Sequence, residues 1–184
     1  MKKYRARQAA AAAALAVLAL GASGCGAIND QATTIHYDAS DGIGIWGTEV
    51  QVRNLMLVTN GADKPARFIG QVSNESAKDS TLIIKAGEKT IELPVKAKSS
   101  VNLQDEQFAE QFTIPGSGAD AGLDKTTNPG LNFKVSITTG NDAAKSVNVP
   151  VVDGTLKEYA QYVPGGFDES NAEHLKPSEA AESH

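Results

Sequence analysis

The chain has 184 residues, 41% hydrophobic and only 5% aromatic, with a formal charge of −5. Four of its 17 basic residues and none of its 22 acidic ones lie in residues 1–24, so the other 160 residues carry 13 basic against 22 acidic side chains. That balance argues against a nucleic acid or an anionic lipid surface as an electrostatic partner, and 160 residues suffice for one domain with a real core.

Lys2, Lys3, Arg5 and Arg7 form a positive start, Ala9 to Gly21 is uncharged and mostly Ala and Leu, and small residues Ala22-Ser23-Gly24 precede Cys25. This order predicts an export signal over residues 1–24. The apolar run is about half of the roughly 20 residues a spanning helix needs. Ala22-Ser23-Gly24-Cys25 resembles the bacterial lipobox, with Cys25 as the lipidated residue; the alternative is an ordinary secretory peptide followed by a chance cysteine. Lipid on Cys25 would hold the protein on the extracytoplasmic (periplasmic) face of the cell membrane. Cys25 is the only cysteine, so its lipidation leaves no thiol for a disulfide, a metal or a nucleophile.

Residues 25–47 read as a tether. Gly26 to Thr34 is small and polar, Ile35-His36-Tyr37 is a short extended stretch, and Asp41 to Gly47 mixes apolar side chains with three glycines. Trp46 reads as the residue that docks the tether on the domain edge, or as a protein-facing contact. A β domain is expected over residues 48–155. Its strands are predicted at 49–59, 66–74, 81–85, 90–95, 100–104, 111–114, 131–139 and 147–152. The clearest alternates Leu131, Phe133, Val135 and Ile137 with Asn132, Lys134, Ser136 and Thr138, the period of two of a sheet with one wet face. Asn60 to Pro65, Ala86 to Lys89 and Gly140 to Asp142 are turns, and the glycine- and proline-rich Pro115 to Gly130 is a long connection. About eight short strands without a long helical pattern predict a two-sheet sandwich, immunoglobulin-like or cupredoxin-like, with Greek-key connections and Phe68, Phe112 and Phe133 in its core. Residues 156–184 follow: Leu156 to Val163 as one or two helical turns, then an acidic tail from Phe167 expected to be disordered.

Catalytic chemistry is not expected. The histidines, His36, His174 and His184, lie in the leader and tail at no ligand spacing, and Met56 sits inside an apolar strand. A serine nucleophile would lack a histidine base in the domain. No carboxylate pair occupies an apolar setting that would raise one pKa, and no phosphate-cradling glycine loop is present. The sequence therefore implies no catalytic residue, metal, cofactor or small-molecule substrate. Arg53 and Arg67 are the only arginines after Arg7. Arg67 reads as a solvent-facing strand residue making ordinary ion pairs, or as a partner contact through its planar donor fork.

Val52-Arg53-Asn54-Leu55-Met56-Leu57-Val58 and the stretch from Lys64 to Ser76 resemble the LpqE family of actinobacterial lipoproteins, as do the signal segment, tether and acidic tail. That family is similar to the PCuAC-type periplasmic copper chaperones, which bind Cu(I) through Met and His. Here Thr81 to Lys85 and Thr90 to Leu103 contain neither residue, so copper carriage is not expected. The resemblance implies a non-catalytic accessory subunit of the actinobacterial respiratory supercomplex, meeting its cytochrome bc complex and cytochrome oxidase on the outer face. A free-standing cell-envelope binding module or envelope-assembly adaptor is the alternative. The expected contact surface combines Trp46, the Asn60–Arg67 loop and the Pro115–Gly130 connection at one end of the sandwich.

Overall fold

The computed structural model describes residues 40–116 and 126–175. Cys25, the expected site of lipidation, most of the residues read as tether and the last nine residues lie outside them. Among the described residues nine strands form: β1 (Ile43–Trp46), β2 (Val50–Thr59), β3 (Ala66–Asn74), β4 (Ser80–Ala86), β5 (Lys89–Val95), β6 (Ser99–Asn102), β7 (Thr113–Ile114), β8 (Asn132–Thr139) and β9 (Lys145–Asp153). One helical turn, α1 (Lys157–Ala160), and a 3₁₀ segment, Glu169–Leu175, follow. Each of the eight expected strands is present, and β1 adds a ninth by pairing antiparallel with the start of β2. The sheet therefore includes residues read as tether.

β2 dictates much of the rest. Asn54 adopts φ 53°, and Asn54 and Leu55 together oppose the single residue Gly70 between the pairs Arg53↔Gln71 and Met56↔Ile69. This is a β-bulge, in which one extra residue shifts the strand's facing. Before it, Val50 and Val52 point into the main core; after it, Leu55 and Leu57 do. The bulge also divides the far edge of β2. Its first half pairs with β1, and Leu57, Val58 and Thr59 pair in parallel with Val151, Val152 and Asp153 of β9. Gly42 packs against the bulge, its N–H donating to Asn54 Oδ1 at 2.9 Å. A Cβ on Gly70 would lie 2.9 Å from the Asn54 carbonyl oxygen.

The parallel β2–β9 pairing corrects the expectation of a two-sheet sandwich. One continuous sheet runs β5-β4-β8-β9-β2-β3-β6, with β1 on β2 and β7 on β3, curled into a nearly closed barrel. Side chains rather than a backbone ladder cross the seam between its ends. Gln111 Nε2 donates to the Glu92 carbonyl at 2.7 Å, Asn74 Nδ2 to the Val95 carbonyl at 3.0 Å, and Lys89 Nζ to the Thr113 carbonyl. The enclosed core takes side chains from both sides of the parallel junction, among them Phe68, Phe112, Phe133, Leu82 and Val149. Burying each large apolar side chain contributes about 1.5–3 kcal/mol.

Two-residue and short polar turns join β4 to β5 and β8 to β9, as the glycines at 87 and 140, with φ 59° and 62°, allow. At the second turn Asp142 accepts hydrogen bonds from the Thr48 N–H and hydroxyl, both at 2.7 Å, and from Thr139 Oγ1 at 2.9 Å. These donors hold its carboxyl below the usual range and tie the β1–β2 turn to the β8–β9 turn.

Gly70 and Gly61 separate backbone strain from crowding, because both have strongly positive φ but nothing lies within 4 Å of a Cβ at Gly61. Gly61→Ala should cost about 1 kcal/mol through strain alone. Gly70→Ala should cost clearly more, about 2–4 kcal/mol, because the bulge carbonyls must also shift. Urea unfolding of both variants checks the order.

Candidate functional site

The outer face of the barrel is divided by the same bulge. Beyond it, Met56 and Val58 of β2 and Ile69 of β3 point outward, and the chain from α1 to Phe167 covers them. Val163 is buried there, with Tyr159, Tyr162, Phe167 and Val152 packed alongside. Below the bulge the outward residues are polar: Arg53 on β2 and Gln71 on β3 are exposed, and Gln51 and Ser73 are half-buried between them.

Trp46 stands on that open half. It is 42% exposed, and the Arg53 guanidinium lies 5.4 Å from its ring centroid, within cation–π range. Arg53 is 55% exposed, with Glu75 at 4.0 Å and Gln51 Oε1 at 3.4 Å. The residue that docks β1 is Ile45, which is buried in the main core. The edge-docking reading of Trp46 thus passes to its neighbour, since adjacent strand residues face opposite sides.

Arg67 is not on the surface. It is 4% exposed, packed in the outer layer with its guanidinium 5.7 Å from the Tyr162 ring centroid. Its Nη2 donates to the carbonyls of Leu103, Gln104 and Asp105 at 3.2, 3.0 and 3.0 Å, while Nε finds no partner. The Glu106 carboxylate 3.7 Å away is 92% exposed and contributes little. The solvent-facing reading of Arg67 therefore fails, because its guanidinium is spent on the carbonyls of a single turn and the C-terminal chain seals it in. Nor do Trp46 and Arg67 share an end of the barrel. Trp46 lies opposite Gln51 and Arg67 opposite Val58, about 20 Å apart along β2 at ~3.3 Å per residue.

Sequence reasoning missed a hub at Asn60. Its Nδ2 donates to the Gly166 carbonyl at 2.7 Å, its Oδ1 accepts from the Asp168 N–H at 2.9 Å, and its own carbonyl accepts from Asn171 Nδ2 at 2.7 Å. The stretch from Phe167 to Leu175 is accordingly held against the β2–β3 loop, contrary to its reading as the start of a disordered tail. Further along, Tyr159 donates its hydroxyl to Asp41 Oδ2 at 2.5 Å. That bond, with partial burial and the negative charges of Asp41 and Glu158, pushes Tyr159 up to about 12.

Around Asn60 the surface is concave. A hollow of about 480 Å³ is bordered by Asn60, Asn128, Asp153 and Asn171 together with Gly61, Pro129 and Gly130. One side continues through Pro129, Gly130 and Asp153 to a more apolar hollow of about 330 Å³ walled by Leu156 and Tyr159. On the other, a hollow of about 320 Å³ extends to Lys64 and Asp168. The loop from Asn60 and the end of the connection at Gly130 do meet here, as Thr127 Oγ1 donates to the Lys64 carbonyl at 3.2 Å, but Trp46 is elsewhere.

Among the described residues no group of His, Cys, Asp or Glu is placed to hold a metal ion, and no helix is long and apolar enough to cross a membrane. No protein-family model matches the chain, and no curated protein does either.

Arg67→Ala should destabilise the fold by about 3 kcal/mol, since the Leu103 and Gln104 carbonyls lose their donor and a cavity opens beneath Tyr162. Glu106→Gln should change stability by less than about 0.5 kcal/mol; thermal and chemical unfolding of both variants tests this. The Tyr159–Asp41 contact predicts a pH effect of defined sign. The folded tyrosine holds its proton to about pH 12, against about 10 unperturbed, so the contact's stabilisation is complete below pH 10 and is lost as pH rises from 10 to 12. Ultraviolet titration of the folded protein should show Tyr159 ionising near pH 12, and Tyr159→Phe should flatten the loss of stability across that window.

Proposed function

We propose that this chain is a non-catalytic lipoprotein, lipidated at Cys25, that serves as an accessory subunit of a membrane complex on its outer face. The bc–oxidase supercomplex is the proposed partner. The anchor rests on the order of charged, apolar and small residues before Cys25, and the choice of complex rests on the resemblance to LpqE-like lipoproteins. The structural observation that carries the interaction reading is the Trp46–Arg53 pair. A tryptophan held at 42% exposure beside an arginine, on a sheet face with no covering segment among the described residues, has the composition of an interface anchor. Arg53 replaces Arg67 as the arginine of this surface, because Arg67 is consumed inside the fold. Tethering to the membrane raises the effective concentration near a membrane complex, so a modest patch suffices.

The binding-module alternative draws its support from a different place, the hollows around Asn60 at the other end of β2. The two readings therefore predict different sensitive residues.

Gentle detergent extraction followed by affinity purification tests the first. The native chain should bring down haem-containing subunits. Trp46→Ala with Arg53→Ala should reduce that recovery about tenfold or more, with circular dichroism and unfolding midpoint unchanged. A folded double variant that recovers the same haem proteins as the native chain removes this surface from the interaction, and a native chain that recovers none removes the supercomplex reading.

A further inference from the structure

We infer that the trough at the Asn60 end of the barrel binds a neutral oligosaccharide. The inference does not depend on the accessory-subunit reading, since it concerns the opposite end of β2 from Trp46.

The three hollows adjoin one another and share lining residues. Asn60 and Asn171 border both the central one and the Lys64 side, while Pro129 and Asp153 border both the central one and the Leu156 side. A trough of three linked lobes suits an extended chain of repeating units better than one compact metabolite.

Its lining has two kinds of chemistry. The central lobe offers planar polar groups with spare capacity. The Asn128 side chain makes no hydrogen bond to the described residues. Asp153 uses only Oδ1, which accepts from the Thr155 N–H at 3.0 Å, and Asn171 uses only its Nδ2. Amides both donate and accept, and a carboxylate accepts twice, so together they match the paired donor and acceptor character of vicinal hydroxyls. These groups are also positioned. Asn60, its amide fully engaged with the C-terminal chain, fixes Asn171 and Gly166 beside the trough, and the Asp153 turn fixes its carboxylate. The adjoining lobe offers an apolar wall. Leu156 is 55% exposed, one of two exposed large apolar side chains among the described residues, and it stands with Tyr159, Pro129 and Val152 around that lobe. A sugar ring presents an apolar C–H face and a rim of hydroxyls, the two surfaces these lobes complement.

A peptide is the rival occupant, and the geometry disfavours it. Extended peptides commonly dock by adding to a free strand edge, but at the trough Val151 to Asp153 of β9 pair with β2, and on its other side Val151 is already bonded to Gly130 and Leu131. The trough offers side chains, not a backbone ladder.

The test uses the full chain in detergent, titrated with malto-, cello- and N-acetylchito-tetraose, and separately with a neutral tetrapeptide, while chemical shifts are followed by NMR. At least one glycan should bind saturably and shift resonances of Asn128, Asp153 and Leu156. Asn128→Ala should weaken that binding about tenfold, and Leu156→Ala about fivefold. Both sites are exposed, so both variants should fold. Trp46→Ala should leave glycan affinity unchanged even if it abolishes complex recovery, which separates this inference from the subunit proposal. No saturable glycan binding up to 20 mM (roughly the weak end of useful affinity), binding untouched by both trough substitutions, or binding of the peptide alone would each overturn it.

Discussion

The bulge at Asn54–Leu55 is the constraint on which the rest of this structure depends. An uninterrupted ten-residue strand would show one apolar face and one wet face along its whole length. The extra residue instead hands the core-facing role from Val50 and Val52 to Leu55 and Leu57. The sharper local twist that accompanies a bulge turns the second half of β2 away from β1 and toward β9. That exchange of neighbours makes one curled sheet out of what would otherwise be two. Glycine at 70 is required because the bulge brings two carbonyls against it at a positive φ.

A second consequence is that the outer surface has two characters. Past the bulge, Met56, Val58 and Ile69 would expose apolar area to water, so the chain must fold back and cover them with Tyr159, Tyr162, Val163 and Phe167. The cover is tied at Asn60 and at the Tyr159–Asp41 bond. It also traps Arg67 in a layer where a guanidinium survives only because three backbone carbonyls and an aromatic face receive it. Below the bulge nothing needs covering, and the exposed Trp46 is left there beside Arg53. The two surfaces proposed to meet other molecules are thus set at opposite ends of β2 by one inserted residue.

Much of the domain was legible in the sequence. All eight expected strands are present because each has local alternation or a β-branched run bounded by turn residues. Phe68, Phe112, Phe133 and Met56 are buried as expected from their settings. Arg67 misled because a charge in a strand ordinarily faces water. The signal against that reading was beside it: Ala66-Arg67-Phe68-Ile69 does not alternate, and a strand without alternation is covered on both faces. The C-terminal stretch after Gly166 misled for the opposite reason, since its polar composition conceals hydrogen bonds to a single distant asparagine.

By itself, then, the sequence determined where the strands lie and which residues fill the core. These follow from patterns a few residues long, in which burial and backbone preference act locally. Only the tertiary structure decided that the sheet is one barrel and not a sandwich, that Arg67 is interior and Arg53 exterior, and that residues 60, 128, 153 and 171 border one trough. Those outcomes depend on contacts between segments separated by up to about a hundred positions, such as Leu57 with Val151 or Asn60 with Gly166. Such contacts are selected by the combined packing of the whole chain, and no local pattern encodes which of many compatible strand pairings lowers the total free energy most.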